Sequence, residues 1–92
     1  MLKLVVVHTV KAEFVEKIMD TAAELVKKSQ QEPGCISYTF VKDSLTPNKF
    51  LFLEEWESEA ALEVHGKTEH FVTICSKLGE MVEKSELYKI IL

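Results

Sequence analysis

Two alternating stretches joined by a short polar turn constrain this chain most. Over Cys35 to Lys42, Ile36, Tyr38 and Phe40 fall on one face; Cys35, Ser37, Thr39 and Val41 fall on the other. Over Phe50 to Glu57, Phe50, Phe52, Glu54 and Trp56 share a face opposite Leu51, Leu53, Glu55 and Glu57. A period of two marks strands with distinct faces. Asp43 to Lys49 contains Pro47-Asn48 and reads as a turn, so the pair predicts a hairpin.

The flanking segments follow other periods. Leu2 to Val10 is a Val-rich apolar run, short and β-branched, which predicts a strand. Its continuity suggests cover on both faces. Ala12 to Gln31 predicts an amphipathic helix with Val15, Ile18, Met19, Ala22, Leu25 and Val26 on one stripe. Pro33-Gly34 stops it. Ser58 can cap a short helix that ends near Gly66. A further helical stretch starts around Thr68, with Phe71, Ile74, Cys75, Leu78, Met81 and Val82 on its stripe. Leu87 to Leu92 closes the chain as a strand. The order is β-α-β-β-α-β with the second helix split, the ferredoxin-like α+β pattern.

Composition narrows the function classes. The 92 residues predict one domain over 1–92, too small for an ample core alone, so association with a second copy would help. The net charge of −4 and the scattered Lys residues give no basic stripe for phosphates, so neither nucleic acid nor an anionic membrane is expected as a partner. No apolar run approaches the roughly 20 residues that cross a bilayer. The start lacks a small-residue cleavage site, and a cytoplasmic location is expected. Cys35 and Cys75 are too far apart for a zinc knuckle or redox pair and read as small core residues.

An ordered set of residues then carries a resemblance. Glu32-Pro33-Gly34-Cys35 follows the first helix, Glu54-x-Trp56 ends the third strand, and Ala60-Ala61-Leu62, His65 and His70-Phe71 come after. From about Leu4 to Leu92 the chain resembles the antibiotic biosynthesis monooxygenase domains, the dimeric α/β-barrel group that includes quinol monooxygenases. The resemblance implies a homodimer packed sheet to sheet, with a pocket between sheet and helices in each protomer. It implies oxidation of a small quinol or polyphenol by molecular oxygen without a cofactor. Two other activities stay open: a non-oxidative enzyme on a small oxygenated metabolite, of the autoinducer-phosphate-processing type, and a non-catalytic stress-responsive dimeric barrel. A haem-degrading branch shares Trp56, but has an Asn where His8 stands and a ligating His near Cys75.

The residues suggest how such chemistry would run. Glu54 shares a face with Phe52 and Trp56, and a carboxylate there needs a partner. His65 and His70 lie just downstream, where the chain folds back over the sheet. A Glu54–imidazole pair would orient a general base, with His65, beside the break at Gly66, as the first choice. The same pair could instead fasten helix to strand. The resemblance also places a His at this position. Trp56 could stack on a flat substrate or simply fill the core. Tyr38 could donate to an oxyanion or be a half-buried strand residue with a wet hydroxyl. Phe52, His70 and His8 complete the candidate substrate-binding set; His8 could instead face a partner. No cofactor is expected, since no phosphate loop or dinucleotide fingerprint is present. No metal is expected either, because His65, His70 and Cys75 lie five apart and not four.

Overall fold

The computed structural model describes residues 1–92. Its elements are β1 (Leu2–Val10), a 3-10 turn (Ala12–Phe14), α1 (Ile18–Gln30), β2 (Cys35–Lys42), β3 (Lys49–Trp56), α2 (Glu59–Gly66), α3 (Glu69–Met81) and β4 (Val82–Ile91). The four strands form one antiparallel sheet in the order β2-β3-β1-β4. The helices cover one face, α1 packing on α3 and β2. This is the expected ferredoxin-like α+β topology with its second helix split.

Alternation decides the inner face. Leu2, Leu4 and Val10 of β1, Tyr38 and Phe40 of β2, and Phe50, Phe52, Glu54 and Trp56 of β3 are buried. The rings interlock: Phe40 lies 4.4 Å from Phe52 and 5.6 Å from Phe50. From the helices, Ile18, Ala22, Leu25, Ile74, Leu78 and Met81 close the core. The outer face carries Val5, Val7, Leu51, Leu53, Tyr88 and Ile90 side by side. They are half-buried or exposed, so within one copy of the chain β1 is not covered on both faces.

Four local expectations need correction. The first helix does not begin at Ala12: nothing in Val10-Lys11-Ala12 can cap an α-helix, and the chain makes a 3-10 turn before α1 begins at Ile18. Met19 is exposed, and the buried stripe runs Ile18, Ala22, Leu25, Ser29. Ile36 is exposed because a bulge between Cys35 and Ser37 takes it out of the alternation. β4 starts at Val82 and not Leu87, since Lys84–Glu86 pair with β1 despite a polar sequence.

Caps and one glycine fix the helix that matters most. Ser58 and Thr68 accept from the backbone N–H groups of Ala61 and Phe71 at the starts of α2 and α3. Gly34 has φ 85°, and a Cβ there would lie 2.6 Å from the Ala61 methyl. Only glycine lets the α1–β2 loop lie this close to α2.

Candidate active site

Between the inner sheet face and α2/α3 lies a cavity of about 360 Å³. Its walls are mostly apolar, with Leu4, Val6 and Phe52 from the sheet and Leu62, Phe71 and Leu78 from the helices. Five other residues of the wall, His8, Tyr38, Glu54, His65 and Ser85, have polar side chains. An apolar pocket with a few convergent polar groups is the usual form of a small-molecule site.

His65 is the most constrained of these. It sits at the end of α2, is 2% exposed, and packs 4.6 Å from Trp56, 4.9 Å from Phe71 and 5.3 Å from Tyr38, ring to ring. Its Nδ1 lies 2.7 Å from Glu32 Oε2. A carboxylate oxygen only accepts, so Nδ1 carries the hydrogen and a neutral ring keeps its lone pair on Nε2. That Nε2 is buried and has no hydrogen-bond partner. The imidazole is therefore held in one tautomer with its basic atom unpaired.

The expected Glu54–His65 pair does not form. Glu54 Oε1 accepts from the indole N–H of Trp56 at 2.9 Å, two residues along the same strand face, while the His65 partner comes from the α1–β2 loop. Burial pushes the Glu54 carboxyl up to about 7; the Trp56 hydrogen bond opposes this and the Glu32 charge adds to it. Near neutral pH Glu54 is thus in part a neutral acid lining the cavity, able to donate a hydrogen bond. Trp56 is fully buried and does not line the cavity; it anchors Glu54 from behind. Tyr38 does line it, but is 2% exposed, not half-buried. Burial, with the nearby Glu54 charge, holds its phenol well above the usual range, so it stays a hydrogen-bond donor.

His70 is not a cavity residue. It occupies the first turn of α3 and turns to a polar surface depression shared with Glu24, Lys28, Glu69, Thr73 and Lys77. Its Nε2 lies 2.8 Å from the same Glu32 Oε2 that holds His65. His8 lines the cavity 5.6 Å edge-on to Phe52, its Nδ1 2.6 Å from Ser85 Oγ. Burial lowers the His8 pKa and favours the neutral ring. Cys75 also lines the cavity, and burial pushes its thiol up to about 11, which keeps it from acting as a thiolate.

Glu32 carries the site's main polar link, and spacing gave it no role. The signal available was an acidic residue directly before the Pro33-Gly34 stop, in a loop that enters β2 opposite Trp56. Glu32, His65 and His70 each place a ligand-type atom within 4.8 Å of the others. The third residue beside His65 and His70 is thus Glu32 and not Cys75. The three facing atoms already meet in hydrogen bonds through Glu32 Oε2, while Glu32 Oε1 and His65 Nε2 are buried without partners.

The fold agrees with the comparisons. The chain belongs to the antibiotic biosynthesis monooxygenase family, whose model matches residues 1–77. A Synechocystis protein named uncharacterized protein sll1783 is 36% identical over 84 residues, covering 88% of this chain and 57% of that protein. The chain therefore spans little more than half the length of that relative. The Escherichia coli K12 protein named "Probable quinol monooxygenase YgiN" is 32% identical over 63 residues, 60% of this chain and 61% of that protein. A crystal structure of an antibiotic biosynthesis monooxygenase superposes with a TM-score of 0.93 at 31% identity, covering 100% of this chain and 98% of that one.

Proposed function

We propose that the chain is a cofactor-independent monooxygenase acting on a small quinol or polyphenol, with His65 as general base. The observation that carries this reading is that His65, a residue of the cavity wall, has its Nδ1 held by Glu32 and its buried Nε2 left without a partner. Family membership and the name of the E. coli relative support the substrate class.

His65 Nε2 takes a phenolic proton, and the resulting anion is electron-rich enough to react with O₂ directly. One oxygen atom enters the ring and the other leaves as water, so a quinol and O₂ give a hydroxyquinone and water. Neutral Glu54 and Tyr38 donate hydrogen bonds to substrate oxygens as charge develops. The apolar walls exclude water from the reactive anion. Glu32 is a positioning residue in this scheme: it fixes the tautomer and stabilises the imidazolium.

We also propose a homodimer formed through the outer sheet face, where Val5, Val7, Leu51, Leu53, Tyr88 and Ile90 make an apolar patch on a chain of 92 residues. Burying such a patch stabilises a small domain.

The test is oxygen uptake with a panel of reduced quinones. The expected result is about one O₂ consumed per quinol, with isotope from labelled O₂ in the organic product. Protein-dependent conversion of an oxygenated metabolite without oxygen uptake would favour the non-oxidative alternative.

A further inference from the structure

His65 and His70 serve different compartments, and one atom joins them. His65 is 2% exposed and belongs to the apolar cavity. His70 has a side chain 16% exposed and belongs to the polar depression on the protein surface. Both rings end on Glu32 Oε2, at 2.7 and 2.8 Å. Glu32 itself is only 9% exposed in its side chain, and its second oxygen is buried without a partner. The three residues come from the α1–β2 loop, the end of α2 and the start of α3, so the link exists only in the folded chain.

His65 Nε2 is already buried from water, and a ligand seated in the cavity covers His65 further. A proton that moves between ligand and His65 then has no aqueous route out. We propose that His65, Glu32 and His70 form a proton relay between the occupied cavity and the surface depression, with His70 as the exit group. The proposal rests on the reading of His65 as the base.

The transfer balances without moving electrons between molecules. The ligand O–H bond breaks as an N–H bond forms at His65 Nε2. The His65 Nδ1 proton passes to Glu32 Oε2, leaving a neutral imidazole in its other tautomer. At rest the carboxylate holds the His70 hydrogen on Nε2, so Glu32 gives its proton to Nδ1 once the His70 ring has turned. The Nε2 proton of His70 then leaves to water. The same steps in reverse return a proton to the cavity when the leaving oxygen becomes water.

A purely structural trio makes a different forecast. His70→Gln keeps an amide donor for Glu32 but cannot pass a proton. The probe is nitrocatechol, a chromogenic phenol, bound in the cavity and subjected to a rapid upward pH jump while phenolate absorbance is followed. No reaction with O₂ is needed. The relay predicts that bound nitrocatechol ionises at least about tenfold more slowly in His70→Gln than in the unmodified protein. Imidazole in the buffer should restore the rate, with thermal stability and nitrocatechol affinity unchanged. Equal ionisation rates in the two proteins would overturn the relay and leave His65 as base. Bound nitrocatechol that never ionises after the jump would instead refute the base reading, and the relay with it. One tightly held metal ion per chain, lost in His70→Gln, would also overturn the relay by making the trio a metal site.

Discussion

Replacing Glu54 by Gln should change how stability depends on pH, by an amount the structure sets. Glu54 is 5% exposed, and burial raises its carboxyl to about 7 from the ordinary 4.5. Below 4.5 the group is neutral in both folded and unfolded chains and costs nothing. As pH rises from 4.5 towards 7, the unfolded chain loses this proton while the folded chain keeps it, so stability falls. Above about 7 the loss is complete. At about 1.4 kcal/mol per pH unit, the gap corresponds to about 3 kcal/mol. Gln has no such dependence, and its carbonyl can still accept from Trp56. Any fixed cost of the amide cancels when two pH values are compared. Urea unfolding of both proteins at about pH 4 and about pH 8 should therefore show a swing of about 3 kcal/mol in favour of Gln at the higher pH. A swing under about 1 kcal/mol, or one of opposite sign, would refute the burial argument. The same ionisation should weaken turnover above about 7, as a neutral donor becomes a charge that repels the substrate anion.

Other outcomes follow from the same geometry. Glu32→Ala leaves the buried Nδ1–H of His65 unpaired, so it should cost about 1–3 kcal/mol in chemical unfolding. It should also lower kcat more than it raises KM, since it removes tautomer control and not a substrate contact. Gly34→Ala forces a methyl towards Ala61 at a positive φ and should cost at least about 1–3 kcal/mol by the same assay. Sedimentation at micromolar concentration should give a dimer, and Leu53→Glu on the outer face should give monomers. A monomeric parent protein would remove the sheet-face proposal.

The fold was legible because its inner face obeys simple periods. Phe50, Phe52, Glu54 and Trp56 are all buried, as alternation requires, and α1 ends at Gln30, just short of Pro33-Gly34, where Gly34 takes a positive φ. Element edges were less legible where backbone pairing overrides side-chain pattern. Lys84–Glu86 belong to β4 because β1 offers them partners, although their side chains give no strand signal. The site followed the same division. His65 and Glu54 could be picked out as polar groups that the local pattern forces towards the core. The partner of His65 could not, because that hydrogen bond depends on where the α1–β2 loop meets α2. Glu32 is 33 residues from His65 in sequence, whereas Glu54 met its nearest partner two residues away. Trp56 and His70 lie beside the cavity residues in sequence but face away from the cavity, one behind Glu54 and one towards the surface.

The most direct test of the account is quinol-dependent oxygen uptake by His65→Ala beside the unmodified protein, with the folded fraction of each sample measured by thermal unfolding. With His65 as the base, the rate per folded molecule should fall by about 10²–10⁴-fold, the usual worth of a positioned general base. An unchanged rate per folded molecule, with only the melting temperature reduced, would contradict it and make His65 a residue that holds α2 to the sheet.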